Sequence, residues 1–173
     1  FPGNGIEFGD EIFLVGADRV VTDFSFETYL AGPTNGTERL ELFLRSNDGP
    51  NGEPGSLLFR SGEITLDLGW VTISLEQLLV TVPNRLTWSV VMNGIDAQTQ
   101  AGLVLADAPG AGASLGDFWM KQQDGNWGTF QAGEGETPVD FAAAVRAVPG
   151  VMVSGNDLVL TAKFVRGDTD SDG

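Results

Sequence analysis

Val20-Val21-Thr22-Asp23-Phe24-Ser25-Phe26-Glu27-Thr28-Tyr29-Leu30 is the stretch that decides the fold. In an extended chain Phe24, Phe26 and Leu30 fall on one side, and Asp23, Ser25 and Glu27 on the other. A period of two is that of a half-buried strand, whose successive side chains point to opposite faces. Arg39-Leu40-Glu41-Leu42-Phe43-Leu44-Arg45 repeats the pattern with Leu40, Leu42 and Leu44 inward. Residues 85–92 repeat it again and place Leu86, Trp88, Val90 and Met92 on one core face. The link between the first two strands, Ala31-Gly32-Pro33-Thr34-Asn35-Gly36, is a run of turn formers.

Working outward, further strands are expected at 57–60, 64–68, 71–74, 77–82, 101–106, 139–145, 151–153 and 158–165. Residues 46–55, SNDGPNGEPG, form a loop of breakers and polar residues, and 107–116 a loop of small ones. Residues 117–130 read as a hairpin around Asp124-Gly125, a two-residue turn signal. In that register Trp119 pairs with Phe130 and Gln122 with Trp127, so the two tryptophans face opposite sides. Many short strands separated by turn signals predict an all-β fold, an antiparallel β-sandwich of jelly-roll type. The chain of 173 residues is long enough for one such core. The expected organisation is a single domain over 1–166 and an acidic tail over 167–173.

Net charge is −15, with nine Lys and Arg against 24 Asp and Glu. Nucleic acid and anionic membranes both need a basic face, so neither is an expected partner. The same charge attracts divalent cations and keeps copies of the chain apart until something neutralises them. Cysteine and histidine are absent, which excludes disulfides, thiolate nucleophiles, Cys/His zinc sites and a Ser-His-Asp triad. No apolar run reaches the length of a transmembrane helix, so membrane insertion is not expected. Numbering begins at Phe1, as expected after removal of a signal peptide, and this predicts an extracellular or cell-surface location.

The last residues, Gly167-Asp168-Thr169-Asp170-Ser171-Asp172-Gly173, match the opening of an EF-hand-type calcium loop. Asp168, Asp170 and Asp172 stand at alternate positions, where their oxygens converge on one hard cation, and Gly173 permits the turn that follows. The later ligands of such a loop are missing, so other oxygens must complete the site. Asn47, Asp48, Asn51 and Glu53 form a second oxygen-rich calcium candidate, read alternatively as Asx and glycine turns. Glu134 and Glu136 form a weaker one.

Four tryptophans are available for a sugar-stacking platform: Trp70, Trp88, Trp119 and Trp127. Trp88 belongs to the core face, which leaves Trp119 or Trp127, whichever points outward, as the ligand-binding candidate; packing is the alternative role for such a ring. Asn35-Gly36-Thr37 is an N-glycosylation acceptor pattern, with Asn35 the modified residue, and also simply a good turn. With 24 acidic residues some carboxylate pair always has a glycosidase-like spacing, so no residue is assigned a catalytic role and no enzyme is expected.

The chain also resembles a family of secreted bacterial domains found upstream of PEP-CTERM-type sorting anchors or dockerin-like acidic tails. The resemblance runs from about Gly9 to Ala147 and rests on an order of segments. These are GDEIFLVG, VTDFSFETYLAGPTNGTERLELFLRSNDGPNGEPGSLLFRSGE, LLVTVPNRLTWSV, AGLVLADAP and DFWMKQQDGNWGTFQAGEGETPVDFAAAVRA. It implies a secreted, jelly-roll-like sandwich. The chain departs from the pattern after Ala147, where a further β segment over 151–165 and the GDTDSDG tail stand in place of an anchor.

These features together predict an extracellular structural protein, a sandwich subunit that assembles with copies of itself into a filament, tube or surface layer. Strand addition is the expected means, with 1–8 (FPGNGIEF) or 158–165 (LVLTAKFV) as the exchanged strand and calcium bridging the acidic subunits. The alternative is a calcium-stabilised carbohydrate-binding or adhesion module that holds polysaccharide through Trp119 or Trp127.

Overall fold

The computed structural model describes residues 3–107, 109–131 and 140–150. These residues form β1 (Glu7–Phe13), β2 (Val20–Ala31), β3 (Arg39–Ser46), β4 (Leu57–Arg60), β5 (Ile64–Thr65), β6 (Gly69–Thr81) and β7 (Arg85–Asn93). There follow β8 (Gln100–Leu103), β9 (Leu105–Ala106), β10 (Ala113–Lys121), β11 (Trp127–Phe130), β12 (Asp140–Phe141) and β13 (Ala143–Val148). One sheet runs β11-β10-β1-β7-β3-β4, with β5 also on β3. The second has β2 at its centre, β6 along one side of it, and β13 and β8 sharing the other. A ribbon of β9 with β12 splits away where β13 and β8 meet. All pairings are antiparallel, and the chain passes repeatedly from one sheet to the other, which is the jelly-roll habit. The fold is the expected antiparallel β-sandwich.

The alternating strands supply the core as read. Phe24, Phe26 and Leu30 of β2 meet Leu40, Leu42 and Leu44 of β3 and Leu86, Trp88, Val90 and Met92 of β7, all buried. Trp88 sits at the centre, its ring 5.4 Å from Phe24 and 5.5 Å from Phe26. Such tilted aromatic contacts add to the area term of burial. Gly9 fits the middle of the first sheet only as glycine, because a Cβ there would lie 2.0 Å from the Trp88 carbonyl oxygen.

Four expectations are corrected. The strands read at 71–74 and 77–82 are one strand, β6, because its extra residues between Glu76 and Val80 bulge out opposite Thr22 and the ladder resumes beyond them. The strand read at 64–68 shortens to β5, and the one read at 101–106 divides into β8 and β9. The loop read over 107–116 ends early, because residues 113–116 already belong to β10. Of the candidate exchanged strand Phe1–Phe8, the residues from Glu7 onward belong to β1, which pairs with β10 on one side and β7 on the other. The other candidate, Leu158–Val165, lies outside the described residues.

Candidate functional site

The hairpin carrying Trp119 and Trp127 differs from its sequence reading by one residue. Lys121 pairs with Trp127, Trp119 with Thr129 and Phe118 with Phe130. The Gln122 amide donates to the Asn126 carbonyl and the Gly125 amide to the Gln122 carbonyl, with Gly125 at φ 86°. This is a three-residue loop with glycine in the left-handed position, not a two-residue turn. A slip of one residue turns every side chain over. Trp119 and Trp127 therefore share one face, the outer face of the first sheet, and the expectation that they oppose each other is corrected.

That face is closed. Trp119 is buried, and its indole N–H donates to Glu11 at 3.1 Å. Glu11, fully buried, also accepts a two-pronged bond from Arg85 and one from the Asn47 amide. Glu7 accepts from Arg45 at 2.7 Å and from the Ser89 hydroxyl at 2.7 Å. Glu41 accepts both prongs of Arg60. Trp127 is half-buried, with the Arg45 guanidinium and the Lys121 ammonium 5.9 and 5.7 Å from its ring centre. Trp119 is thus engaged within the protein, while the Trp127 ring is only partly covered.

The oxygen-rich loop belongs to the same closure. Asn47 donates to Glu11, to the Gly52 carbonyl and to Thr87. Asp48 accepts from the Ser56 hydroxyl and amide, and these bonds pull its carboxyl down to about 2. Asn51 sits at φ 55° in the turn, and the Glu53 amide closes it on the Pro50 carbonyl. Asn47, Asp48, Asn51 and Glu53 thus build Asx and glycine turns. Among the described residues no three Asp or Glu side chains come together to hold a metal ion. Asp168, Asp170, Asp172, Glu134 and Glu136 lie outside the described residues. Asn35 is on an exposed loop, its side-chain oxygen accepting from Thr37.

The second sheet differs, and sequence reasoning overlooked it. Gly69–Glu76 of β6 pairs without interruption to Leu30–Asp23 of β2. Its other side has no strand partner among the described residues. Gln77 and Leu79 then take left-handed backbone at φ 59° and 53° and end the regular ladder. Trp70 is 70 % exposed and directly opposite Tyr29, with ring centres 4.8 Å apart. The available signal was the alternation itself: Trp70, Thr72, Ser74 and Glu76 fall on one face, against Val71, Ile73 and Leu75.

Two clefts flank the β9–β12 ribbon, and Phe141 lines both. One, of about 610 Å³, is lined by Asp18, Glu27, Asp107 and Asp140 and, among the described residues, by no basic one. Behind it Asp10 projects to the inner side of β1 beside Phe8 and Ile12. It accepts from the Ser114 hydroxyl at 2.7 Å and from the Phe141 amide at 3.3 Å. Burial pushes the Asp10 carboxyl up to about 7; the negative charge of Asp140 adds to the rise, and the bonds from Ser114, Phe141 and Glu11 oppose it. Asp140 is buried too, and its Oδ1 has no hydrogen-bond partner among the described residues. The second cleft, of about 860 Å³, is lined by Trp70, Tyr29, Gln100, Gln131 and other uncharged residues. No family model matches this chain, and neither a curated protein nor a solved structure matches it.

Proposed function

We propose that this chain is an extracellular structural subunit that joins copies of itself by β-strand addition at β6. One observation carries the reading: the continuous run Gly69–Glu76 has no ladder partner on its outer side among the described residues. Edge strands invite pairing, and native sheets blunt them by keeping them short or bulged. The first sheet does so, ending in β11 and β4 of four residues each. The second ends on β6, thirteen residues long, and its bulge interrupts only the last third. A polymer grows when one copy's strand fills the next copy's edge without closing a ring. With β1 held inside its own sheet, Leu158–Val165 is the remaining donor read from the sequence. The calcium-bridging part of the proposal rests on Asp168, Asp170 and Asp172 and on the net charge of −15, and the secreted address rests on the family resemblance.

The test is negative-stain electron microscopy with sedimentation velocity, in millimolar calcium and in excess chelator. Filaments, tubes or sheets are expected in calcium, and the double variant Thr72→Lys, Ser74→Lys, which sets charges along the edge, is expected to stay dispersed. Monodisperse wild-type chains in both conditions would overturn the reading. Polymers unaffected by the lysines would move the contact away from β6.

A further inference from the structure

The geometry points to a binding site for a neutral oligosaccharide at the Trp70–Tyr29 pair, on the uncharged cleft beside β8. It uses neither of the tryptophans that the sequence singled out. Trp70 leaves most of its ring in solvent on a strand whose inward residues are at least half-buried. Tyr29 stands 4.8 Å from it, tilted by 45°, so the two rings make a bent apolar wall. A pyranose ring presents just such an apolar C–H face with hydroxyls around its rim, and indole and phenol combine an apolar body with a polar tip.

The remaining lining chooses between ligand classes. Among the described residues the cleft at Trp70 is lined by no Asp or Glu and by no Lys or Arg, in a chain that carries 24 acidic residues. A cationic ligand would find its counter-charges in the other cleft, with Asp18, Glu27, Asp107 and Asp140. An anionic ligand would meet the net charge of −15 with no basic group to hold it. An uncharged ligand avoids both penalties. Gln100 and Gln131, both exposed, bring amide donors and acceptors to the rim, the groups that hold hydroxyls in place. A volume of about 860 Å³ lies within the range of small-ligand sites and has room for more than one sugar ring.

Affinity electrophoresis tests this directly, because the chain migrates as a strong anion and a neutral polysaccharide in the gel adds no charge of its own. The gels contain β-glucan, xylan, galactomannan or dextran. Retardation in at least one is expected, weakened at least tenfold in Trp70→Ala and retained in Trp127→Ala. The edge variant Thr72→Lys, Ser74→Lys is expected to bind as wild type, which separates this site from assembly at β6. Free migration in all four gels overturns the proposal. So does retardation that survives Trp70→Ala, or that is lost in Trp127→Ala.

Discussion

The outer faces of the two sheets are written in the same alternating code and end in opposite states. On the first sheet the outward residues Glu7, Glu11, Glu41, Phe43, Thr87 and Ser89, from the middle of β1, β3 and β7, are buried. On the second the outward residues of β6 are Trp70, Thr72, Ser74 and Glu76, and every one is exposed. Polarity does not separate the lists. Counter-groups do: Arg45, Arg60, Arg85 and Lys121 stand over the first face, and Asn47 closes one end of it. A chain with only nine Lys and Arg has concentrated four of them here. Burying a carboxylate is costly unless it is paired and hydrogen-bonded, and this face meets that condition. Among the described residues the second face has Arg146 near Asp23 at 3.9 Å and little else over it.

Removing the hub of the closed face gives the largest expected effect. Glu11→Ala leaves Arg85, Asn47 and Trp119 without their shared acceptor. Breaking a buried pair from one side costs about 3–5 kcal/mol. The low end applies here, because the Arg85 side chain is 41 % exposed and regains water. Urea unfolding measures the loss. A cost below about 1 kcal/mol would mean that the closed face is not held by its ion pairs.

The inner carboxyl gives the next effect, and it has the opposite sense to ordinary acid denaturation. Asp10 has its carboxyl raised from 3.8 to about 7, by burial first and by Asp140 second. The folded chain therefore binds this proton more tightly than the unfolded chain. The stabilisation is complete below 3.8 and is lost as pH rises through about 7. Between pH 8 and pH 5 the folded state should gain about 2–3 kcal/mol from this group. Asp48, Glu38 and Asp96 are lowered by the hydrogen bonds they accept, so they oppose the trend only at more acidic pH. Asp10→Asn keeps an acceptor for Ser114 and cannot ionise. Melting curves across this range should be flatter for that variant than for wild type, and equal slopes would refute the assignment.

How much of this was legible follows from the same contrast. The core strands β2, β3 and β7 were legible because each places large apolar residues at every second position, and burial enforces that period. The β10–β11 faces were not. Asp124-Gly125 signals a turn, but its length decides the register, and one extra loop residue turned Trp127 to the side of Trp119. Asp10 was illegible for another reason: GDEIF alternates equally well with either set inward, and only the packed sheets show the aspartate beside Phe8. An Asn/Asp/Gly-rich loop is the same string whatever its side chains bind, and only the packed sheets show the Asn47 amide donating to Glu11 and Asp48 accepting from Ser56.

The smallest expected effect is the sharpest test of the two-face contrast, because it compares one residue type in two places. Trp119→Ala removes a buried indole and its bond to Glu11, and truncating a buried tryptophan costs about 3–5 kcal/mol. Trp70→Ala removes an indole that is already 70 % in water and touches Tyr29. The exposed ring pair contributes about 0.5 kcal/mol, so the variant should unfold at nearly the wild-type denaturant midpoint. If Trp70→Ala instead costs as much as Trp119→Ala, the ring packs against the protein and the second face is closed like the first. If it costs little and abolishes polysaccharide retardation, the exposure of Trp70 has a use other than stability, because an aromatic that adds nothing to folding and everything to binding is placed for its ligand.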